Sequence, residues 1–134
     1  MKEKRKNRAD KLSLLVISIG LADLFGQKYF KEVNYGTQNS GVSFGLFKNI
    51  EVTLLVLLWT GITVILLDQM RKKKSVLPLL LITVGGGVNL VGRILWGGVW
   101  DYLHAPVINL WFNVSDVMIT LGVILFIIPE KHED

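Results

Sequence analysis

The chain has no cysteine among its 134 residues, which excludes disulfide bonds, a thiol nucleophile and metal sites built on thiolates. It also cannot be a lipoprotein itself, because the lipid anchor of a lipoprotein is attached to a cysteine. Only two histidines are present, His104 and His132, and they lie too far apart in the sequence to suggest a metal cluster. The sequence therefore predicts no metal site.

Charged residues are scarce, at 19% of the chain, and they lie mainly between four apolar blocks. Hydrophobic residues make up 51% of the sequence, and the mean hydropathy is +0.46. A soluble domain of this length would need more charge on its surface, so the composition predicts an integral membrane protein. The apolar runs are continuous, which favours helices and an all-α fold class, since helices satisfy their own backbone in lipid.

Four transmembrane helices are predicted in a single integral membrane domain over residues 1–134, at residues 12–28, 51–69, 76–96 and 107–128. The first block follows a basic segment, as a signal peptide would, but Asp23 interrupts it and no clear cleavage site follows, so we predict a retained helix. Residues 35–47 lie between helices 1 and 2 and mix glycine with alternating polar and apolar residues. They predict a small extracytoplasmic β or loop element, with a loop of no special role as the alternative.

The distribution of lysine and arginine predicts the topology of this multi-pass chain. Six of these residues precede the first apolar block, and four more form the run Arg71–Lys74 between the second and third blocks. The positive-inside rule therefore places both termini and this run in the cytoplasm. The net charge of +4 is explained by topology and anionic lipid, with no nucleic acid as a partner. The charged tails 1–10 and 130–134 are predicted to be disordered.

Five polar residues interrupt the apolar blocks at a similar predicted depth, towards the outer leaflet: Asp23, Asn89, Arg93, Asn113 and Asp116. Ionisable groups in spanning segments are costly and usually face the bundle interior or a wet cavity. The pattern therefore predicts one polar site that opens outward. The alternative is that the asparagines only hold helices together and that Asp116 with Arg93 is a buried ion pair. Gly85–Gly87 indicates close helix packing.

Four short motifs occur in order along the chain: NSGVSFGLF at 39–47, NLVGR at 89–93, GGVWDY at 97–102 and FNVSD at 112–116. In their order, spacing and topology they resemble the lipoprotein signal peptidase family, signal peptidase II. The resemblance covers the chain from about Asp23 to Ile128. It implies four spanning helices with both ends in the cytoplasm.

The resemblance also implies an activity and its setting. Members of this family are aspartic endopeptidases of the bacterial cytoplasmic (inner) membrane, without metal or cofactor. They cut the signal peptide from diacylglyceryl-modified prolipoproteins, using two aspartates near the outer leaflet to activate water. The implied partners are the lipidated prolipoprotein and membrane lipid, and we expect a monomer.

Carried over residue by residue, the resemblance implies that Asp116 is one of the two catalytic aspartates. It places the other at position 92, where this chain has Gly92, and it marks Val88 and Ser115 as further departures. Asp101 is expected to order its loop. Asp23 and Lys28 are five residues apart where the family has Asp-x-x-x-Lys. The residues expected to bind substrate or support the site are Asn39, Gly41, Phe44, Asn89, Arg93, Asp101, Asn113, Asp23 and Lys28.

Three hypotheses follow from these residues. The chain is a prolipoprotein peptidase of ordinary function, in which Asp23 or Asp101 compensates for the missing aspartate or the sequence has been altered at Gly92. Alternatively, it is a catalytically impaired or dead homologue that binds the lipidated prolipoprotein without cleaving it. The third hypothesis is an unrelated small membrane protein whose polar residues only hold its helices together, and the order of the motifs argues against it.

Overall fold

The computed structural model describes residues 2–41, 51–72 and 76–128. Helices dominate it: α1 (Lys2–Glu32), α2 (Val52–Arg71), α3 (Leu77–Trp96) and α4 (Val114–Ile127). Four short strands accompany them: β1 (Thr37–Asn39), β2 (Val99–Asp101), β3 (Leu103–Ala105) and β4 (Leu110–Phe112). The mostly helical architecture predicted from the sequence is confirmed. α1 is longer than predicted and includes the basic segment expected to be disordered, because neither proline nor glycine interrupts it before Gly20.

Two helices of the described residues are long and apolar enough to cross a membrane. They are Val52–Gln69 in α2, with a mean hydropathy of 1.9, and Leu77–Trp96, with a mean hydropathy of 1.6. α4 is also apolar but has only 14 residues. The two segments support the prediction of a membrane protein, since apolar helices of about 20 residues match the thickness of the hydrocarbon core.

α4 begins seven residues later than the predicted start at residue 107. Residues 106–109 form the turn of a hairpin in which β3 pairs with β4, and Asn109 adopts a left-handed φ of 47° in that turn. Asn113 then caps α4: its side chain accepts from the Asp116 amide, while the Asp116 side chain accepts from the Asn113 amide. This capping box sets the helix start, although the apolar run VINLWF before it looks continuous with the helix.

Three consecutive glycines let α3 pack closely against two neighbours. A Cβ on Gly85 would lie 2.7 Å from the Ser115 carbonyl oxygen at the start of α4. Gly86 and Gly87 face the Trp59 ring of α2, whose Nε1 donates to the Thr83 carbonyl at 2.7 Å. The prediction of close helix packing at Gly85–Gly87 is therefore confirmed. Small residues allow this approach because they leave no side chain between the helix backbones.

The strands join the connection after α1 to the connection after α3. β1 pairs antiparallel with β2, so that Thr37 lies opposite Asp101 and Asn39 opposite Val99. α3 ends at Gly97, whose left-handed φ of 72° turns the chain towards β2. The small sheet therefore holds Asp101 at the end of the helical bundle.

Candidate active site

Asp23 of α1 is the centre of a buried hydrogen-bond network, with 3% of its surface exposed. Its carboxylate accepts from the Val114 and Ser115 backbone amides, at 3.2 and 3.1 Å, and from the Ser115 hydroxyl. It also accepts from the Tyr102 hydroxyl and from Gln27 Nε2. A carboxylate at a helix N-terminus satisfies backbone amides that have no partner within the helix. Asp23 therefore anchors the start of α4, two residues before Asp116.

Asn113 links the two other carboxyls of the site. Its Nδ2 donates to Asp101 Oδ1 at 2.8 Å, and its backbone amide donates to Asp116 Oδ2 at 3.3 Å. Asn113 has no exposed surface, and Asp101 has 1%. The turn from β4 into α4 thus places Asn113 where it donates to the carboxyl of Asp101 in β2 and to that of Asp116 in α4.

Two more asparagines hold these carboxyls from other elements. Asn89 of α3 donates through Nδ2 to Asp116 Oδ1 at 2.8 Å. Asn39 of β1 donates through Nδ2 to Asp101 Oδ2 at 3.0 Å. Each carboxyl therefore accepts from Asn113 and from one further asparagine. Donors at these hydrogen-bond distances fix the orientation of the Asp101 and Asp116 carboxyls.

Arg93 of α3 supplies the positive charge of the cluster. Its Nη1 donates to the Asn89 carbonyl at 3.0 Å, and its Nη2 donates to the Gly41 carbonyl. Gly41 is itself held through its amide by Asn39 Oδ1 at 2.9 Å. Within the described part of the chain, Arg93 forms no salt bridge with Asp116. Arg93 therefore ties the connection after α1 to α3, rather than forming the ion pair considered above.

The electrostatic environment changes the acidity of Asp101, which lies outside the helices. Burial, and to a lesser extent the negative charge of Asp116, raise the pKa of Asp101 to about 6. The donors of Asn39 and Asn113, with the charge of Arg93, oppose this shift. The negative charge of Asp116 therefore makes Asp101 harder to ionise, because like charges repel each other.

A cavity of about 440 Å³ opens between α2, α3 and α4 beside the carboxyl of Asp116. Its polar residues are Asn89, Arg93, Asp116 and Thr120, and the Trp59 ring forms part of its wall. The remaining lining is apolar: Leu55, Leu58, Ile62, Ile82, Gly86, Leu90, Ile119, Val123 and Ile124. The cavity thus combines an apolar groove within the helices with the carboxyl of Asp116.

Position 92 faces another part of the cluster. A Cβ on Gly92 would lie 3.3 Å from Gln27 Oε1 and 3.5 Å from the Gly98 carbonyl oxygen. A side chain at this position would therefore start out towards α1. The carboxyl that shares Asn113 with Asp116 belongs to Asp101, which the resemblance had assigned to loop order.

Most of the predicted site residues come together in the structure. Lys28 does not: its side chain is 61% exposed and lies 3.9 Å from Glu32. The residue one helical turn after Asp23 is Gln27, which is completely buried. Phe44 lies outside the described residues. Sequence reasoning missed Gln27, Tyr102 and Ser115, although a glutamine four residues after an aspartate in an apolar helix was a usable signal.

The fold and the site define a helical membrane protein in which a buried carboxyl, Asp101, and a half-buried one, Asp116, share Asn113, with Asp116 lining an apolar groove. The family profile described as signal peptidase (SPase) II matches residues 9–130. This match covers most of the sequence, and the chain belongs to the signal peptidase II family.

Individual relatives support this assignment. A lipoprotein signal peptidase of Pelodictyon phaeoclathratiforme is 32% identical over 124 residues, covering 81% of this chain and 69% of the relative. One of Clostridium tetani is 31% identical over 130 residues, covering 88% and 80%. One of Anaplasma phagocytophilum is 37% identical over 104 residues, covering 71% and 66%. The chain thus spans between about two thirds and four fifths of these relatives.

A solved structure has the same fold. It is described as a bacterial membrane enzyme studied by the in meso method at 2.3 Å resolution. It superposes with a TM-score of 0.74 at 20% sequence identity, over 91% of this chain and 92% of the other. A second structure, from the same method at 1.9 Å resolution, gives a TM-score of 0.70 at 20% identity, over 91% and 94%.

Proposed function

We propose that this chain is an active lipoprotein signal peptidase, an aspartic endopeptidase that cleaves the signal peptide of diacylglyceryl-modified prolipoproteins. The observation that carries the proposal is the pair Asp101 and Asp116, joined through Asn113 beside the groove. In this proposal the raised pKa of Asp101, about 6, makes it easier to protonate than an ordinary aspartate, and in its protonated form it donates to the scissile carbonyl. Asp116 takes a proton from the attacking water.

The pair makes an aspartate at position 92 unnecessary. The hypothesis of an impaired homologue started from half of a catalytic pair, with Gly92 in place of the second aspartate. With Asp101 as the partner of Asp116, both carboxyls are present, and nothing in the site favours loss of activity. Gly92 is then a variation beside the catalytic pair.

The apolar groove supports a lipid-modified substrate. Its lining is apolar except for Asn89, Arg93, Asp116 and Thr120. Apolar segments of a substrate could occupy the groove while a peptide bond lies at the carboxyls. A soluble peptide would gain little from such a surface, whereas a peptide carrying a diacylglyceryl group and an apolar signal segment would bury both.

The setting in the membrane is part of the same proposal. All four helices span a bacterial cytoplasmic membrane in a single domain, with both termini in the cytoplasm and the carboxyls near the outer leaflet. The basic N-terminal segment and the run Arg71–Lys74 support this orientation. The strands after α1 and α3 form the extracytoplasmic element. The functional unit is a monomer in contact with membrane lipid.

The test is cleavage of a diacylglyceryl-modified prolipoprotein by the protein purified in detergent, followed by gel shift. We expect the parent to cleave, and Asp101→Asn and Asp116→Asn to lose about 10²-fold to 10⁴-fold or more in rate. Asp68→Asn is the matched control, since Asp68 is an aspartate of α2 paired with Lys72. An inactive parent, or an Asp101→Asn variant with parental rates, would contradict the proposal.

A further inference from the structure

Gln27 is a buried polar residue whose side-chain amide nitrogen has hydrogen-bond partners while its amide oxygen does not. Its Nε2 donates to Asp23 Oδ2 at 2.9 Å and to Asn89 Oδ1 at 3.4 Å. Its Oε1 is buried and has no hydrogen-bond partner among the described residues. Burying a glutamine amide inside a helical bundle costs free energy unless the amide is hydrogen-bonded.

The donor end of Gln27 determines how Asn89 is oriented. Because Asn89 Oδ1 faces the Gln27 donor, Asn89 Nδ2 is left to face Asp116, to which it donates at 2.8 Å. The opposite orientation would place the Asn89 carbonyl oxygen against the carboxylate, where two acceptors repel each other. Gln27 thus acts on Asp116 without touching it.

Because the amide oxygen of Gln27 faces position 92, the effect of a side chain there depends on whether it can donate a hydrogen bond. A side chain on Gly92 would begin 3.3 Å from Gln27 Oε1 and 3.5 Å from the Gly98 carbonyl, so it would meet two acceptors. A hydroxyl could donate to them. A carboxylate could not, and it would push the Gln27 amide out of its place.

We infer that Gln27 is a positioning residue for Asp116, which it orients through Asn89, and that glycine at position 92 leaves the Gln27 amide undisturbed. This inference rests on the proposed function, in which Asp116 is a catalytic residue. It differs from that proposal in what it predicts: a donor at position 27 matters, and the shape of the side chain alone does not.

The first experiment compares substitutions of nearly the same length at position 27. Gln27→Met removes the donor, and Gln27→Lys retains one that can reach Asp23 and Asn89. We expect Gln27→Met to lower kcat about 10-fold, the equivalent of one lost hydrogen bond, with KM nearly unchanged. Gln27→Lys should keep kcat within about 3-fold of the parent. Gln69→Met, at a glutamine of α2, is the matched control and should change neither constant.

The second experiment tests position 92 with and without a charge partner. Gly92→Ser should retain kcat, and Gly92→Asp should lower it about 10-fold. Gly92→Asp combined with Gln27→Lys should recover most of that loss, because the ammonium then faces the carboxylate. Equal losses for Gln27→Met and Gln27→Lys, or a double variant no better than Gly92→Asp alone, would overturn the inference.

A spectroscopic measurement separates the inference from the proposed function. In protein labelled with ¹³C at aspartate carboxyls, the Asp116 resonance, assigned through Asp116→Asn, should shift in Gln27→Met and return in Gln27→Lys. This result would support positioning even if the parent failed to cleave prolipoprotein, an outcome that would remove only the proposed function. An Asp116 resonance that is unchanged in Gln27→Met would overturn the inference whether or not the parent cleaves.

Discussion

α2 and α3 have equal lengths and similar hydropathy, but they differ in how much of each helix is buried inside the protein. Only 6% of the apolar window of α2 is buried inside the protein, against 44% for α3. α3 packs against three other helices, and it contributes Asn89 and Arg93 to the candidate active site. α2 forms one wall of the groove and meets α3 around Trp59. Hydropathy therefore identifies the segments that can span a membrane. Side-chain volume and polarity determine which of these segments pack against other helices.

The largest expected difference is between Asp23 of α1, in the packed part of the bundle, and Asp68 of α2. Asp23→Ala leaves the amides of Val114 and Ser115 and the Tyr102 hydroxyl without their acceptor. We expect it to lower the free energy of unfolding in detergent by about 3 kcal/mol or more. Asp68→Ala in α2 removes an exposed pair with Lys72 and should cost less than about 1 kcal/mol. Similar unfolding temperatures for the two variants would contradict the central role of Asp23.

The next difference is in pH dependence. Asp101 has a folded pKa near 6 and an unfolded pKa of about 3.9, so the folded protein binds more protons between these values. Stability is therefore lost as the pH rises from about 4 to about 6, and the loss is complete above that range. We expect the parent to lose about 2–3 kcal/mol relative to Asp101→Asn across this range. Thermal unfolding at several pH values tests it, and a constant difference would exclude the raised pKa.

The glycines provide a third comparison, with opposite expected signs. A Cβ on Gly85 would lie 2.7 Å from the Ser115 carbonyl oxygen, and one on Gly122 would lie 2.7 Å from the Pro78 carbonyl oxygen. Gly85→Ala and Gly122→Ala should each cost about 1–3 kcal/mol through overpacking. Gly61→Ala in α2 meets nothing within 4 Å and should stabilise the helix by up to about 1 kcal/mol. A stabilising Gly85→Ala would show that α3 and α4 are further apart than described.

The smallest expected effect concerns the contact between the two helices themselves. Trp59→Phe removes the bond from Nε1 to the Thr83 carbonyl but keeps an aromatic ring over Gly86 and Gly87. We expect a loss of about 1 kcal/mol in unfolding free energy. Trp59→Leu, which also removes the ring, should cost more. If both variants unfold as the parent does, α2 is held by the surrounding detergent or lipid alone.

Most of the helices could be predicted from the sequence, and the errors in their bounds have identifiable causes. Apolar length placed α2 and α3 within two residues of their ends, because hydropathy is a property of the segment itself. The start of α4 was missed, because Leu110 and Trp111 are as apolar in a strand as in a helix. The capping box of Asn113 and Asp116 was the available signal, but both residues were counted among the polar residues that interrupt the fourth predicted helix.

The proposed catalytic pair illustrates the same limit within the site. Motif spacing led to Gly92 as the partner position of Asp116, since sequence separation says nothing about the direction of a side chain. In the structure, Gly92 faces Gln27, and Asp101 shares Asn113 with Asp116. Burial by surrounding elements, which acts on Asp101 from several parts of the chain, is also what raises its pKa.

By itself, the sequence determined that this protein belongs in a membrane, where its apolar helices lie, and which short motifs carry its polar residues. These features depend on residues close together in the chain. Packing of the elements was needed to show that Asp101 and Asp116 share Asn113, that Gln27 rather than Lys28 bonds to Asp23, and that α3 is more buried than α2. Such contacts join α1, β1, β2, α3 and α4 across as many as 92 residues, and they exist only once the helices have packed.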